Sequence, residues 1–432
     1  MRGFAPSGDF LHRRLAPGVD AFLRPTRRFK TLLVRAYLLQ PLTERGASAL
    51  SLAAAILKQG SRDLPDPRAL HGALDRLYGA DLDLDTARLG EIHLLEADLT
   101  LPSGRYTGDP KALEDGLGIL AGVLGRPLKE GTGFPPGRLR RERANLLDAL
   151  AAAKNHKPGW ATLRCIQTAC AREPYRFGRY GTPQALRRLQ PDGLWRFWQD
   201  AAARAPLAVY AVGAFDAEEM ADRLARAFLP LRRGPARPLP SSGFRRGSPR
   251  CPATRTEREE VRQARLCLAF RTGTAWGDPG FTALVLAASV LGGGSHAKLF
   301  QEVREKTSLA YDATASLEKS KGLMLLSAGV DPAQRDRAEA IILEQVEDVR
   351  AGRISGREWA DSRASLLNQV RMTGDHPGRL VAMHLEGWVN GHPRAGCEVQ
   401  RRIRAATPEE ASEAARRWTL SATYCLTAGK GR

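Results

Sequence analysis

The chain has 432 residues, 43% of them hydrophobic and 26% charged, the composition of an ordinary globular protein rather than a disordered or fibrous one. Its longest apolar runs, Ala47 to Leu57 and Phe281 to Leu291, fall well short of the roughly 20 residues that a membrane-spanning helix needs, which excludes such a helix. The formal charge of +19 raises a polyanion as partner, but the basic residues are mostly arginines spread along the chain. Their clusters, such as Arg138-Arg140-Arg141-Arg143 and Arg401-Arg402-Arg404, lack the interleaved aromatics of a single-strand platform. This argues against nucleic acid as a partner; solvated faces account for most of the charge, and an acidic or extended peptide is the alternative.

In chain order, the first half opens with an extended segment, Val19 to Leu23, and a strand, Thr31 to Leu39. A helix near Ala47 to Lys58 stops before Gly60, as helices often do before glycine. Helix Pro67 to Leu77 and strands near Asp81 to Thr86 and Ile92 to Leu101 follow, then helices Lys111 to Leu124 and Pro136 to Ala153. A short buried strand, Leu207 to Gly213, precedes helix Ala217 to Phe228. The second half repeats this order: strand Arg265 to Arg271, helices Phe281 to Leu291 and His296 to Lys306, strands Ala310 to Leu317 and Gly322 to Val330, and helix Gln334 to Ala351. Strands and helices mix without strict alternation, which favours α+β over a doubly wound sheet.

Between the halves, residues 231–254 are rich in Pro, Gly, Ser and Arg without an apolar period and read as a linker. The expected domains are 1–230 and 255–432. When Ala47 is laid over Gly280, Ala54 falls on Ala287, Ala55 on Ala288 and Gly60 on Gly293, while Tyr78 falls on Tyr311. The same order of elements in both halves points to a duplication.

The stretch from Leu291 to Tyr311, LGGGSHAKLFQEVREKTSLAY, carries the most chemistry. Gly292, Gly293 and Gly294 end one helix in a loop, and Ser295 or its neighbour is placed to cap the next. The glycines follow a helix rather than a strand, against a phosphate-binding loop. Arg304 and Tyr311 could both donate hydrogen bonds to a peptide carbonyl or oxyanion; taken alone they equally suit a surface arginine and a half-buried tyrosine.

This stretch resembles the C-terminal half of the pitrilysin/insulinase family of zinc metallopeptidases, and a second segment, Ala211 to Met220 (AVGAFDAEEM), is similar to that family as well. The resemblance implies two tandem homologous α+β domains, each an antiparallel-rich sheet flanked by helices, closing like a clam shell around a chamber. It implies that Arg304 and Tyr311 hold and polarise a peptide substrate and that the Gly292–Gly294 loop touches it. Active members carry His-x-x-Glu-His on the first helix and a glutamate ligand on a later one. Here Ser51, Ala54 and Ala55 stand in the motif's place, and seven residues beyond the matching Glu142-Arg143 pair stands Ala149.

Catalytic zinc needs three protein ligands and a base for its water, which these residues cannot supply. No two of the eight histidines have HxxH or HxxxH spacing, and Gly387 and Gly391 argue against a regular helix joining His384 to His392. The resemblance thus implies a zinc-free, non-catalytic member, a heterodimer partner that supplies Arg304 and Tyr311 in trans to a zinc-bearing paralogue. A stand-alone peptide-binding or chaperone-like protein is the alternative. Within the family the missing motif and short length look most like the bacterial proteins associated with 5-aminopentanol modification of elongation factor P. Six scattered cysteines with no CxxC pair suit reduced thiols in a bacterial cytoplasm, and the first thirty residues lack the apolar core of a secretory signal.

Overall fold

Seven strands from the first half of the chain form one mixed sheet: β1 (Ala5–Ser7), β2 (Phe10–Ala16), β3 (Val19–Pro25), β4 (Thr31–Pro41), β5 (Asp81–Leu89), β6 (Ile92–Pro102) and β7 (Leu207–Gly213), in the order β1-β2-β3-β7-β4-β6-β5. Five from the second half form another: β8 (Ala253–Glu259), β9 (Ala264–Arg271), β10 (Ala310–Glu318), β11 (Leu323–Val330) and β12 (Thr419–Ala428). Read from β8, its order is β8-β12-β9-β11-β10, the same path as β3-β7-β4-β6-β5. In each of these five-strand paths the first pair is parallel (β3 with β7, β8 with β12) and the remaining pairs are antiparallel. Shared topology, including the one parallel junction, establishes the duplication more firmly than the low identity of the halves. The computed structural model describes residues 3–232, 234–247, 251–307 and 309–429.

The helices nearest each sheet are apolar nearly all round, so they bury both toward the strands and toward an outer layer of helices. In the first unit this is Glu44–Leu57, started by Thr43, whose side chain accepts from the Gly46 amide. In the second it is Phe281–Gly292. One contiguous core fills each sheet-helix layer, with Val34, Leu50 and Leu99 in the first and Leu268, Leu286 and Leu326 in the second.

The two units do not follow the chain in two contiguous blocks. Residues Ala152–Arg176 belong to the second unit, and Pro377–Leu385 to the first. The units thus differ from the expected blocks 1–230 and 255–432 by these two segments. Helix Lys157–Ala169 buries Ala161, Cys165 and Ile166, and it packs on β9 and β12. Arg164 pairs with Glu257, Lys157 Nζ lies 2.6 Å from Glu259 Oε2, and Cys165 Sγ lies 3.5 Å from the Cys267 carbonyl oxygen. The segment ends near Glu173, whose carboxylate pairs with Arg271, lies 2.6 Å from Lys321 Nζ and 3.7 Å from Arg245 Nε. The Arg271 and Lys321 side chains are 3% and 0% exposed.

In the first unit, His384 is buried, with Nε2 2.9 Å from Ser7 Oγ and Nδ1 2.9 Å from Tyr210 Oη. Arg35 donates to the Gly378 carbonyl at 3.3 Å and pairs with Asp98. The helix Pro377–Val389 runs through Gly387 but ends before His392, so no regular helix joins His384 to His392, as expected. A Cβ at Gly387 would sit 2.9 Å from Pro393 Cα, so the glycine serves a close approach; the chain turns at Gly391, where φ is +79°.

Within the expected linker, residues 233 and 248–250 lie outside the described residues, and the rest of 232–247 forms no helix or strand. The part from Ser242 is nevertheless held down: Lys321 Nζ donates to the Gly243 carbonyl at 2.6 Å, and Arg246 makes two hydrogen bonds to Asp278 at 2.8 and 2.9 Å. No helix among the described residues is long and apolar enough to cross a membrane.

Candidate functional site

Helix Glu44–Leu57 carries a polar stripe at Glu44, Ser48 and Ser51, spaced one helical turn apart and so on one face. That stripe is spent on residues 177–182, mostly on their main chain. Ser51 Oγ donates to the Arg179 carbonyl and also meets Thr86 Oγ1, both at 2.8 Å. Ser48 Oγ accepts from the Thr182 amide at 3.1 Å, and Thr182 Oγ1 donates to Glu44 at 2.8 Å. Arg88 donates to the Phe177 carbonyl at 2.6 Å, and Arg179 reaches Asp85 Oδ2 at 2.9 Å while lying 4.5 Å from the centroid of the Tyr180 ring. Gly181 is required by both conformation and space: its φ is +70°, and a Cβ would collide with the Ser48 hydroxyl. The sequence marks this segment only weakly, through Gly178 and Gly181 bracketing a basic-aromatic pair, which is a turn signal and no more.

Of the positions matched to the zinc motif, Ser51 and Ala54 are buried, Ala55 is half-buried and Ala149 is exposed. Ala54 belongs to the apolar core. Glu142, on the same helix as Ala149, is buried and held by Arg141 at 3.1 Å and Asn145 at 3.0 Å. A hydroxyl already committed to two partners and three methyl groups do not fit zinc, which takes imidazole, thiolate or carboxylate. Among the described residues no group of three His, Cys, Asp or Glu is placed to hold a metal. Adding zinc in excess is accordingly expected to leave the thermal midpoint unchanged; a zinc-dependent rise measured by scanning calorimetry would contradict this.

The second unit holds the other candidate residues. Gly292 is the last residue of its helix and is buried, rather than part of an open loop. A Cβ there would collide with the Ala315 amide nitrogen, so the glycine lets the helix end abut β10. Gly293 and Gly294 are exposed. Ser295 does not cap the next helix; its carbonyl accepts from Gln301 Nε2 at 2.6 Å. Where a plain α-helix was expected, residues Phe300–Lys306 wind as a π-helix, a form often found at functional sites. Thr307 Oγ1 closes it, donating to the carbonyls of Glu302 at 2.9 Å and Val303 at 3.0 Å.

Arg304 lies on this π-helix with its side chain 46% exposed, its guanidinium 4.6 Å from the Phe300 ring centroid and its Nε 3.6 Å from Glu305. The π-helix packs on β10, the edge strand of its sheet. There the pairing runs Ala310 to Val330 and then Asp312 to Gly329, so Tyr311 is skipped as a bulge. The bulge leaves the tyrosine 63% exposed, consistent with the way bulges re-aim side chains. Asp312 beside it is fixed by Arg265 at 2.6 and 2.9 Å. Thus the helix end at Gly292, the Arg304 helix and the Tyr311 strand share one edge of the second sheet. Arg304 and Tyr311 do not bond to one another; both are exposed there.

Comparison with known proteins agrees with this fold. A family model described as the peptidase M16 inactive domain matches residues 188–366. The Bacillus subtilis protein named "Probable inactive metalloprotease YmfF" is 28% identical over 420 residues, covering 96% of this chain and 97% of its own. A conserved protein from Enterococcus faecalis has the same fold, with a TM-score of 0.92 at 24% identity over 98% of this chain and 100% of the other. So does a peptidase M16 inactive domain from Pseudomonas fluorescens, with a TM-score of 0.79 at 17% identity over 98% of both chains.

Proposed function

We propose that this chain is an inactive, peptidase-like member of the peptidase M16 family and the non-catalytic subunit of a heterodimeric metallopeptidase. It would offer Arg304 and Tyr311 to a peptide held by a zinc-bearing paralogue. The observation that carries this reading is the contrast between the two units. In the first, the side chains at the zinc-motif positions are apolar or tied to the protein's own main chain. In the second, a guanidinium and a phenol stand exposed on one sheet edge, with no structural task that demands their exposure. Side chains of this kind stabilise the oxyanion of peptide hydrolysis when a partner brings the metal and its water. The six cysteines are all unpaired, and burial pushes the thiols of Cys170 and Cys267 up to about 11. Cys251 and Cys397 are exposed, and exposed free thiols suit the reducing, cytoplasmic setting this reading assumes.

The test is co-purification of the tagged chain from native extract, followed by assay of the complex. An equimolar His-x-x-Glu-His paralogue is expected. In that complex Arg304→Ala should lower kcat/KM about 100-fold or more, with the melting temperature of the chain itself unchanged because the side chain is exposed. Recovery of peptides with no paralogue would instead favour the stand-alone binding protein.

A further inference from the structure

Helix Pro136–Ala152 buries Leu139, Glu142 and Leu146 along one stripe. At about 100° per residue, Arg140 and Arg141 fall on the opposite, outward side, and Arg143 on a flank. The fold then sets a second arginine pair beside this flank. Arg143 Nη1 donates to the carbonyls of Leu189 at 3.0 Å and Arg187 at 3.4 Å, which brings helix Pro183–Arg188 and its last turn, Arg187 and Arg188, alongside. Arg143 and the last turn of helix Pro183–Arg188, from two distant stretches of chain, thereby lie side by side in the first unit.

Three nearby acids are already engaged, Glu44 among them through the Thr182 hydroxyl. Glu142 faces inward and binds Arg141 and Asn145, and Asp192 is paired with Arg196 at 2.9 Å. Asp148 lies two turns further along the helix. Arg140, Arg187 and Arg188 are exposed and make no ion pair among the described residues. Like charges held side by side raise the energy of the free protein, and an oppositely charged surface relieves it.

We propose that this surface, Arg140, Arg143, Arg187 and Arg188, docks an acidic polypeptide segment through its carboxylates. Guanidinium forks match carboxylate and phosphate equally well, and the lack of an exposed aromatic on these helices counts against nucleic acid as the source of the anion. None of the exposed aromatics, Tyr78, Tyr106 and Tyr311, lies on these two helices, and without one there is no platform for bases. The proposal does not depend on the zinc-bearing partner, since the docking surface and its ligand involve neither Arg304 nor Tyr311.

The test is fluorescence anisotropy with labelled hexaglutamate on the full chain. Arg143 is left in place because it holds the two helices together. The triple substitution Arg140→Ser, Arg187→Ser, Arg188→Ser is expected to weaken binding about 10-fold or more. A control triple with the same change in net charge, Arg337→Ser, Arg371→Ser, Arg401→Ser, should change it by less than about 2-fold. Equal losses in the two triples, or no binding of hexaglutamate to the unaltered chain, would overturn the proposal. Tighter binding of a single-stranded oligonucleotide of equal charge, lost with the first triple, would overturn it by reassigning the surface to nucleic acid.

Discussion

Replacing Glu173 by alanine is expected to destabilise the protein by about 3 to 5 kcal/mol, because it strands buried charge without a counterion. Glu173 is the carboxylate between Arg271 and Lys321, whose side chains are almost wholly out of water. Its own burial opposes ionisation, yet those two cations outweigh it and hold the carboxyl below the usual range. The Arg271 guanidinium also reaches the Ala169 carbonyl at 3.3 Å, so Glu173 fixes the end of the exchanged segment as well as the charges. Urea denaturation measures the loss as a lower midpoint. Adding Lys321→Met to Glu173→Ala should recover part of it, since one of the two stranded charges is then removed. If Glu173→Ala unfolds at the same urea concentration as the parent chain, the cluster is not the anchor described.

Acidification should weaken the fold between pH 6.5 and 4, before most carboxylates protonate. Burial depresses the imidazoles of both His93 and His384 to about 4 from an ordinary value of 6.5. Both are therefore neutral in the folded state, while the unfolded chain binds protons at each below pH 6.5. The contribution is complete above 6.5, declines as the pH falls, and is gone below about 4. A shift of this size corresponds to about 3 kcal/mol per histidine. Glu96, Asp98 and Glu386 are held above their usual range by burial and act in the opposite direction, taking up protons in the folded protein. A single substitution separates the effects. His384→Gln should reduce the slope of stability against pH in this window by up to about 1.4 kcal/mol per pH unit. An unchanged slope would show that His384 is protonated in the folded chain.

How much of this is legible in the sequence depends on whether the cause is local. Helix Phe281–Gly292 and strand Leu207–Gly213 are legible because apolar runs and a terminal glycine are written in adjacent residues. The chemistry of the matched positions is legible too, since Ser51, Ala54, Ala55 and Ala149 carry no imidazole, thiolate or carboxylate in any conformation. The π-turn at Phe300–Lys306 is not, because α and π windings have nearly the same apolar pattern. Neither is the role of Gly292, whose neighbour Ala315 comes from another element. Two glycines after His384 argue against a regular helix joining it to His392, and the helix does end at Val389; that His384 is held by Ser7 and Tyr210 from the sheet is not written in neighbouring residues.

By itself, then, the sequence determined the α+β class, the duplicated order of elements, and which residues stand at the positions matched to the zinc motif, all properties of residue type and short-range spacing. Tertiary structure decided which sheet each amphipathic helix covers, and so the exchange of Ala152–Arg176 and Pro377–Leu385 between units. It also decided that residues 177–182 occupy the polar face of the first helix, and that Arg143 meets the carbonyls of Arg187 and Leu189. The reason is physical: a helix with an apolar stripe specifies only that the stripe be buried. Its partner is selected by complementary contacts such as Arg164 with Glu257 and Glu173 with Arg271, which lie far apart in the chain and become neighbours only when it folds.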